Sequence, residues 1–492
     1  MSATSLPLRS DLFPALESQE PGSPLGLATS LPQEHTYDAV IEGTLPRDLR
    51  GTLYRNGPGL FERAGRRKRN LLDGDGMIQA FRVQDGGVQF KNRFIRTRKY
   101  TDEEAAGRYL YATWTTLAHR GLRANFLGKS IYSQAAVSVI AKHGRLCAFD
   151  DGPEAYALDP ETLDTLGPLV LAEGLPTTFA AHSFIDHKNG EWILLRGLGL
   201  FFDIITLDHA GHLVRRRRIR SPRVVYTHDF FVSDRHIILN LHPAKVSVLP
   251  FALGSCSFAD ALRWRPNQGN LLVVLDRDGN AKPIHLATEA SWMWHSLNAY
   301  ENGNDIIADF VGYRTPSHML GARPAFHAFM LGQQAKLDTP GEIRRYIINL
   351  NRRTVAQEVL ATENYEFPVA NPHKRCHRHR FGYFARSRAP RDVLWSSVIR
   401  MDMDTGKTWS YDFGEDLYCG EPVFAPKPGF YYSPDADNEP GWLLTEVYDS
   451  RAKKSFLAIL DVDRLQNGPI AIVHLQHHVP LSFHGYWHAE RY

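Results

Sequence analysis

Seven times along this 492-residue chain a β-branched or alternating run meets a cluster of Asp, Asn, Gly or Thr and then resumes. That is the pattern of a strand, a tight turn and a returning strand. The clusters are Asp85-Gly86-Gly87, Asp159-Pro160-Glu161, Asp208-His209-Ala210-Gly211, Asp276-Arg277-Asp278-Gly279, Asn351-Arg352-Arg353-Thr354, Asp402-Met403-Asp404-Thr405-Gly406 and Asp461-Val462-Asp463. Their first residues stand 74, 49, 68, 75, 51 and 59 positions apart, loose for a sequence repeat but compatible with blades that carry insertions. Seven four-stranded sheets around an axis satisfy that spacing, while the hairpins alone are equally met by a pair of β-sandwiches.

Charge narrows the partners. With 57 basic and 54 acidic residues the chain carries a formal charge of +3, too little field to argue for nucleic acid. The one basic run, Arg215 to Arg218 with Arg220, reads as a solvated strand or turn. Cys147, Cys256, Cys376 and Cys419 form no CxxC pair, so neither a disulfide framework nor a zinc ribbon is expected, and a reducing compartment is. Residues 1–36 are rich in Ser, Pro and Leu without a basic start and an apolar core, and read as a partly ordered arm rather than a secretory signal. No uncharged apolar run reaches the ~20 residues of a membrane span. The expectation is a cytoplasmic protein whose residues 37–492 form one domain.

One segment breaks the β pattern. Between Glu103 and Ser130, Tyr109, Leu110, Trp114, Leu117, Leu122, Phe126 and Leu127 are set among Arg108, His119, Arg120, Arg123 and Lys129. An amphipathic helical insertion is expected. It has two readings of equal weight: a helix in a membrane interface, with Trp114, Leu117, Leu122 and Phe126 facing lipid, or a helical cap on the β body.

Four of the 22 histidines sit in matching aromatic surroundings: His182 before Phe184, His228 between Tyr226 and Phe230, His295 after Trp292 and Trp294, and His484 between Phe483 and Tyr486. Their spacings of 46, 67 and 189 put each on a different blade, and the inner strands of a propeller converge on its axis. Neutral imidazoles suit iron, zinc and copper, so the set is a candidate metal centre. A metal-bound imidazole needs its second nitrogen held, usually by a carboxylate. Glu366 in Tyr365-Glu366-Phe367-Pro368, Glu421 in Gly420-Glu421-Pro422-Val423 and Asp151 after Leu146-Cys147-Ala148-Phe149 are acids in apolar settings where an unpaired charge is costly. The close group His373, Cys376, His377 and His379 lacks a second pair at zinc-site distance and reads as a solvated basic loop.

With Tyr54-Arg55-Asn56-Gly57-Pro58, Asp73-Gly74-Asp75-Gly76-Met77, the four histidine settings, Glu366-Phe367-Pro368, Gly420-Glu421-Pro422 and His484-Gly485 in this order, the chain resembles the carotenoid cleavage oxygenase family over about residues 36–488. That family also contains stilbene-cleaving enzymes and retinoid isomerohydrolases, and the pattern here is nearest its apocarotenoid-cleaving members. The resemblance implies an all-β, seven-bladed propeller with a helical cap over the active-site face and one iron(II) on the axis. It implies that His182, His228, His295 and His484 hold the iron while Glu366 and Glu421 orient imidazoles. Asp151 stands where the family usually has glutamate, and its shorter side chain is expected to reach its histidine through a backbone shift or a water. Leu71 and Leu72 replace the usual His and Phe. Val137 stands where a relative's threonine shields an iron coordination position.

Phe149, Trp294 and Tyr313 are the further candidates for the substrate tunnel. Tyr100 resembles the tyrosine of stilbene-cleaving relatives, but the nearest lysine to Val137 is Lys142, which favours a polyene over a hydroxystilbene. The implied chemistry is dioxygen attack on a conjugated C=C bond, through a dioxetane or an epoxide, to give two carbonyl products. An apolar substrate of that kind is drawn from a membrane surface or a carrier. The alternatives are stilbene cleavage, an iron-dependent isomerase on the same scaffold, and a metal-stabilised propeller without turnover.

Overall fold

The computed structural model describes residues 12–14, 22–118, 122–129, 131–151, 154–197, 199–279, 281–321, 324–429 and 439–490. Its strands form seven antiparallel sheets of four or more strands, the blades of a propeller. The innermost strands are, in chain order, Ser138–Lys142, Ser183–Ile185, Phe230–Val232, Trp292–Asn302, Tyr365–Val369, Val423–Pro426 and His484–Ala489, and they define blades 1 to 7. In every blade the turn cluster read from the sequence is the hairpin between the third and fourth strands counted from the axis. Six of those turns share one device. The Oδ1 atoms of Asp159, Asp208, Asp276, Asp402 and Asp461 each accept the backbone N–H two residues on, at 2.9 to 3.1 Å. Asn349 accepts from Arg352 N at 2.8 Å in blade 4. A short acceptor side chain that satisfies its own turn is what selects Asp and Asn there.

The ring closes between the two ends of the described chain. His484–Ala489 pairs antiparallel with Gly51–Leu60, His484 opposite Asn56, so blade 7 draws its inner strand from one end and its outer three from the other. Thr36–Asp38 extends the outer edge of blade 7 and Val40–Gly43 the outer edge of blade 6, a second link across the same seam. Because the middle of the ring is open, the hydrophobic core is distributed. Phe184, Ile193 and Leu195 of blade 2 pack on Phe230, Val232 and Leu239 of blade 3, and comparable clusters fill the other junctions. The basic run is the outermost strand of blade 2, Leu213–Arg220. Arg216 and Arg218 bind Asp203, and Arg217 reaches the carbonyls of Asp276 and Ala281 in blade 3.

The cap differs from the expectation of a continuous amphipathic helix over 103–130. Arg98–Ala106 is helical, capped by Thr97 and ended by Gly107 at φ 61°. Residues 108–118 hold no helix, Leu122–Asn125 is a short one, and residues 119–121 and 130 lie outside the described set. Buried charges tie this segment to blade 7. Lys99 Nζ lies 2.5 Å from Asp75 Oδ1 and 2.9 Å from Glu103 Oε2, while Asp73 accepts Thr115 N at 3.0 Å, so the Asp73–Met77 motif anchors the cap. Helices Val248–Ala252, Phe258–Ala261 and Ala325–Met330, from insertions in blades 3 and 4, complete it. Of the N-terminal arm, residues 22–35 lie on the body with Leu25, Leu27 and Leu31 buried; the rest, apart from 12–14, is outside the described residues.

Several histidines are locked in as neutral groups. His242 Nε2 accepts Met293 N at 3.2 Å, His318 Nδ1 accepts Trp294 Nε1 at 3.4 Å and His379 Nδ1 accepts Asn298 Nδ2 at 3.1 Å. Burial pushes His242 down to about 3, and His318 and His379 down to about 4. Their folded values lie below the unfolded 6.5, so the unfolded chain binds the extra protons and stability is lost as pH falls from 6.5 towards 4. Each contributes about 1.4 kcal/mol per pH unit across that window. The unfolding temperature is expected to hold from pH 8 to 7 and to drop steeply below 6.5; a flat profile down to pH 5 would contradict the assignment.

Candidate metal centre

Each of the seven blades contributes one side chain to the centre, four of them reaching the axis and three standing behind those. Blades 2, 3, 4 and 7 supply His182, His228, His295 and His484, whose ligand atoms all lie within 4.8 Å of one another. His182 Nε2 and His228 Nε2 are 3.1 Å apart. The rings stand edge to face: His182 with His228, His182 with His484 and His295 with His484 each have centroids 4.6 Å apart and planes 78° to 79° apart. Blades 1, 5 and 6 supply the acids. Asp151 Oδ2 takes His228 Nδ1 at 2.6 Å, Glu366 Oε2 takes His295 Nδ1 at 2.6 Å, and Glu421 Oε1 takes His484 Nδ1 at 2.8 Å.

Local distortions of the inner strands aim these groups. The blade 4 strand shifts register between Met293 and Ser296 and again between Ser296 and Asn298, turning His295 inward. Blade 5 shifts between Glu366 and Val369, where Phe367 adopts φ 51° and lays its ring parallel to that of His295 at 5.5 Å. Bulges that re-aim a side chain are a recurrent device at functional sites. At Gly485 a Cβ would come within 2.7 Å of Arg55 Cδ, so only glycine lets Arg55 pass. Arg55 Nη1 donates to Glu421 Oε2 at 2.7 Å, and Gly485 N donates to the same oxygen at 2.7 Å.

Asp151 needs neither of the expected detours. It contacts His228 directly, accepts Ala181 N at 2.8 Å beside His182, and takes the Tyr226 hydroxyl at 2.7 Å. Among the described residues no carboxylate pairs with His182. Burial, then the neighbouring imidazoles, push His182 well below its usual range. Burial takes His484 down to about 4 against the pull of Glu421. For His295 burial acts in the same direction, but the Glu366 contact outweighs it and raises the ring above its ordinary value.

His228, His295 and His484 form one wall of an apolar cavity of about 50 Å³. Val137 and Trp294 line it, with Leu72, Phe326, Phe367, Trp395 and Phe483. Two tunnel candidates lie elsewhere. Phe149 is buried between blades 1 and 2, its ring 6.2 Å from those of Phe179 and Trp192. Tyr313 is fully enclosed behind His318, donating to Tyr365 O at 3.3 Å. His318 itself lines the cavity from an insertion with no sequence signal. Tyr226 was legible in principle: two residues before His228, it shares that residue's side of an extended chain.

The donor set fits a borderline divalent ion. Four nitrogens converge within one coordination sphere, three are fixed in tautomer by acids, and those acids supply the negative charge that a dication requires. A propeller with this axis is a scaffold for a mononuclear metal-dependent oxygenase. The family model described as retinal pigment epithelial membrane protein matches residues 28–489, and the chain belongs to that family, as an oxygenase of the carotenoid-cleavage class. Apocarotenoid-15,15'-oxygenase of Synechocystis is 29% identical over 96% of this chain and 98% of its own. Isoeugenol monooxygenase of Pseudomonas putida is 26% identical, over 93% and 96%. The cobalt-substituted Synechocystis apocarotenoid oxygenase superimposes with a TM-score of 0.86 at 28% identity, covering 95% of this chain and 98% of that one.

His484 and His488 lie on the same strand, but His488 is exposed. His484→Ala is expected to remove most bound metal and to abolish turnover, while His488→Ala retains both. Elemental analysis of the two variants checks this, and equal metal loss would overturn it.

Proposed function

We propose that the chain cleaves a C=C bond in the conjugated chain of an apocarotenoid or carotenoid, with dioxygen as co-substrate and one non-haem iron(II) held by His182, His228, His295 and His484. The observation that carries this reading is the apolar cavity walled by His228, His295 and His484. Iron(II) held there supplies dioxygen activation beside an alkene. The chain's own share is placement. Asp151, Glu366 and Glu421 hold the Nδ1 protons, so the Nε2 lone pairs face the axis. Val137, Trp294 and Phe367 exclude water and fix the double bond against that wall, a contribution of several kcal/mol when the reacting atoms are aligned.

A phenolic substrate is less well served. Tyr100 stacks on Phe94 at 5.1 Å and takes a hydrogen bond from Arg96 at 2.8 Å, and neither it nor Lys142 lines the cavity. Anaerobic protein loaded with iron(II), mixed with an apocarotenal and then exposed to oxygen, is expected to give two shorter carbonyl fragments by mass. A product of unchanged carbon number would replace this reading with an isomerase.

Delivery of such a substrate from a lipid surface is part of the proposal. No helix among the described residues is long and apolar enough to cross a membrane. Leu122, Phe126 and Leu127 are nevertheless exposed, and so are Val248, Leu249 and Leu253 on the helix packed against them. Trp114 and Leu117, expected to face lipid, are instead partly buried; Trp114 packs against Tyr226 at 5.2 Å and Phe258 at 5.1 Å. Behind the patch a cavity of about 340 Å³, lined by Leu127, Phe251, Trp114 and Tyr226, reaches Asp151. Phe126→Glu with Leu249→Glu is expected to abolish co-sedimentation with liposomes at an unchanged unfolding temperature. Undiminished sedimentation would leave the patch without a lipid role.

A further inference from the structure

Three of the imidazoles, those of His182, His295 and His484, also face a second cavity, larger than the first and of mixed polar and apolar lining. It measures about 790 Å³, shares His295, Phe367 and His484 with the apolar cavity, and is the one of the two that His182 lines. Arg375 is the one guanidinium or ammonium among its described lining residues.

Arg375 belongs to the segment read from the sequence as a solvated basic loop, and that reading does not hold. The segment is clamped across three blades. Asn298 Nδ2 donates to the carbonyls of Lys374 and His377 at 3.0 and 2.8 Å, and Cys376 N donates back to Asn298 Oδ1 at 2.9 Å. Cys376 is fully buried at φ 69°, and His377 Nε2 meets Asp186 of the blade 2 hairpin at 3.1 Å. The guanidinium is thereby pinned 4.4 Å over the ring of Phe184.

Among the described residues the Arg375 side chain has no ion-pair partner and makes no hydrogen bond. The acids whose charge acts on it, Asp229 and Glu421, are bonded elsewhere. Asp229 Oδ2 accepts Ser296 N and Oγ, both at 2.7 Å, and its Oδ1 accepts Phe230 N at 2.7 Å. Glu421 is saturated by Arg55, His484 and Gly485. A partly buried guanidinium with no acceptor among the described residues presents a planar fork to the cavity, and that fork matches a planar oxyanion in two parallel hydrogen bonds.

We propose that this second cavity binds a small planar oxyanion of carboxylate geometry, with Arg375 as its bidentate anchor. The site is independent of which alkene is cleaved on the other side of the imidazoles. The chemistry is shared by bicarbonate and by a short organic acid, and separate titrations distinguish the two sources.

The test is calorimetric titration of the full chain with bicarbonate, formate, phosphate and chloride at constant ionic strength. One-to-one, saturable binding of formate or bicarbonate is expected, with phosphate and chloride weaker. Arg375→Gln should weaken it about tenfold or more. Arg375→Lys keeps the charge without the fork, serves as the folded control, and should bind formate and chloride alike. No saturable binding by the unmodified chain, equal affinity for all four anions, undiminished binding in Arg375→Gln, or wild-type discrimination in Arg375→Lys would each overturn the proposal. Product formation from an apocarotenal is measured separately, so the two proposals fail independently.

Discussion

The antiparallel pairing of His484–Ala489 with Gly51–Leu60 is the contact on which the rest of the architecture depends. An open stack of blades has no axis, and side chains on its inner strands diverge. Closing it makes seven strand ends converge, and one residue from each becomes part of a single constellation. The closing strand also carries the fourth imidazole. The network that holds the seam, Arg55 with Glu421, Glu446 and the Ser482 carbonyl, is the same one that orients that imidazole. Ring closure and metal-site assembly are therefore one event in physical terms.

Regular strands do not supply every group at the centre. A pleated strand alternates its side chains between two blade interfaces, and a register shift is one way to turn a residue towards the axis, although His484 is presented by a strand of unbroken register. Blades 4 and 5 use such shifts at His295 and Glu366, and Phe367 takes a left-handed backbone conformation in the process. The surrounding junctions, filled by large buried side chains such as Trp192, Trp292 and Tyr365, are rigid enough to hold that distortion. Acids behind three imidazoles then fix the tautomer without occupying the axis itself.

How much of this was legible in the sequence follows from range. The seven outer hairpins are local objects, six of them built from an Asp or Asn that bonds its own turn, and each stands at the position its cluster indicated. The histidines and acids were legible because aromatic flanks and neighbouring prolines mark buried polar groups. Tertiary range is where legibility ended. Phe149 ends the second strand of blade 1, two residues before Asp151, and only the pleat decides that its ring enters the junction between blades 1 and 2 instead of the cavity. Leu249 joins Phe126 on one surface although more than a hundred residues separate them, and nothing short of the packed cap reveals that. The loop around Arg375 is rich in His, Lys and Arg, which composition alone assigns to solvent; the Asn298 amide that clamps it comes from a different blade.

Closure also governs how the chain reaches this state. Arg55 and Ser482, which meet across the seam, are 427 positions apart. Bringing such distant segments together sacrifices chain entropy before any contact there compensates, and topologies dominated by such contacts fold slowly. Until then the Gly51–Leu60 strand presents a full row of unpaired backbone donors and acceptors, an edge that another chain can occupy. Refolding yield in vitro is thus a contest between an intramolecular strand and its equivalent from a neighbouring molecule, decided by protein concentration.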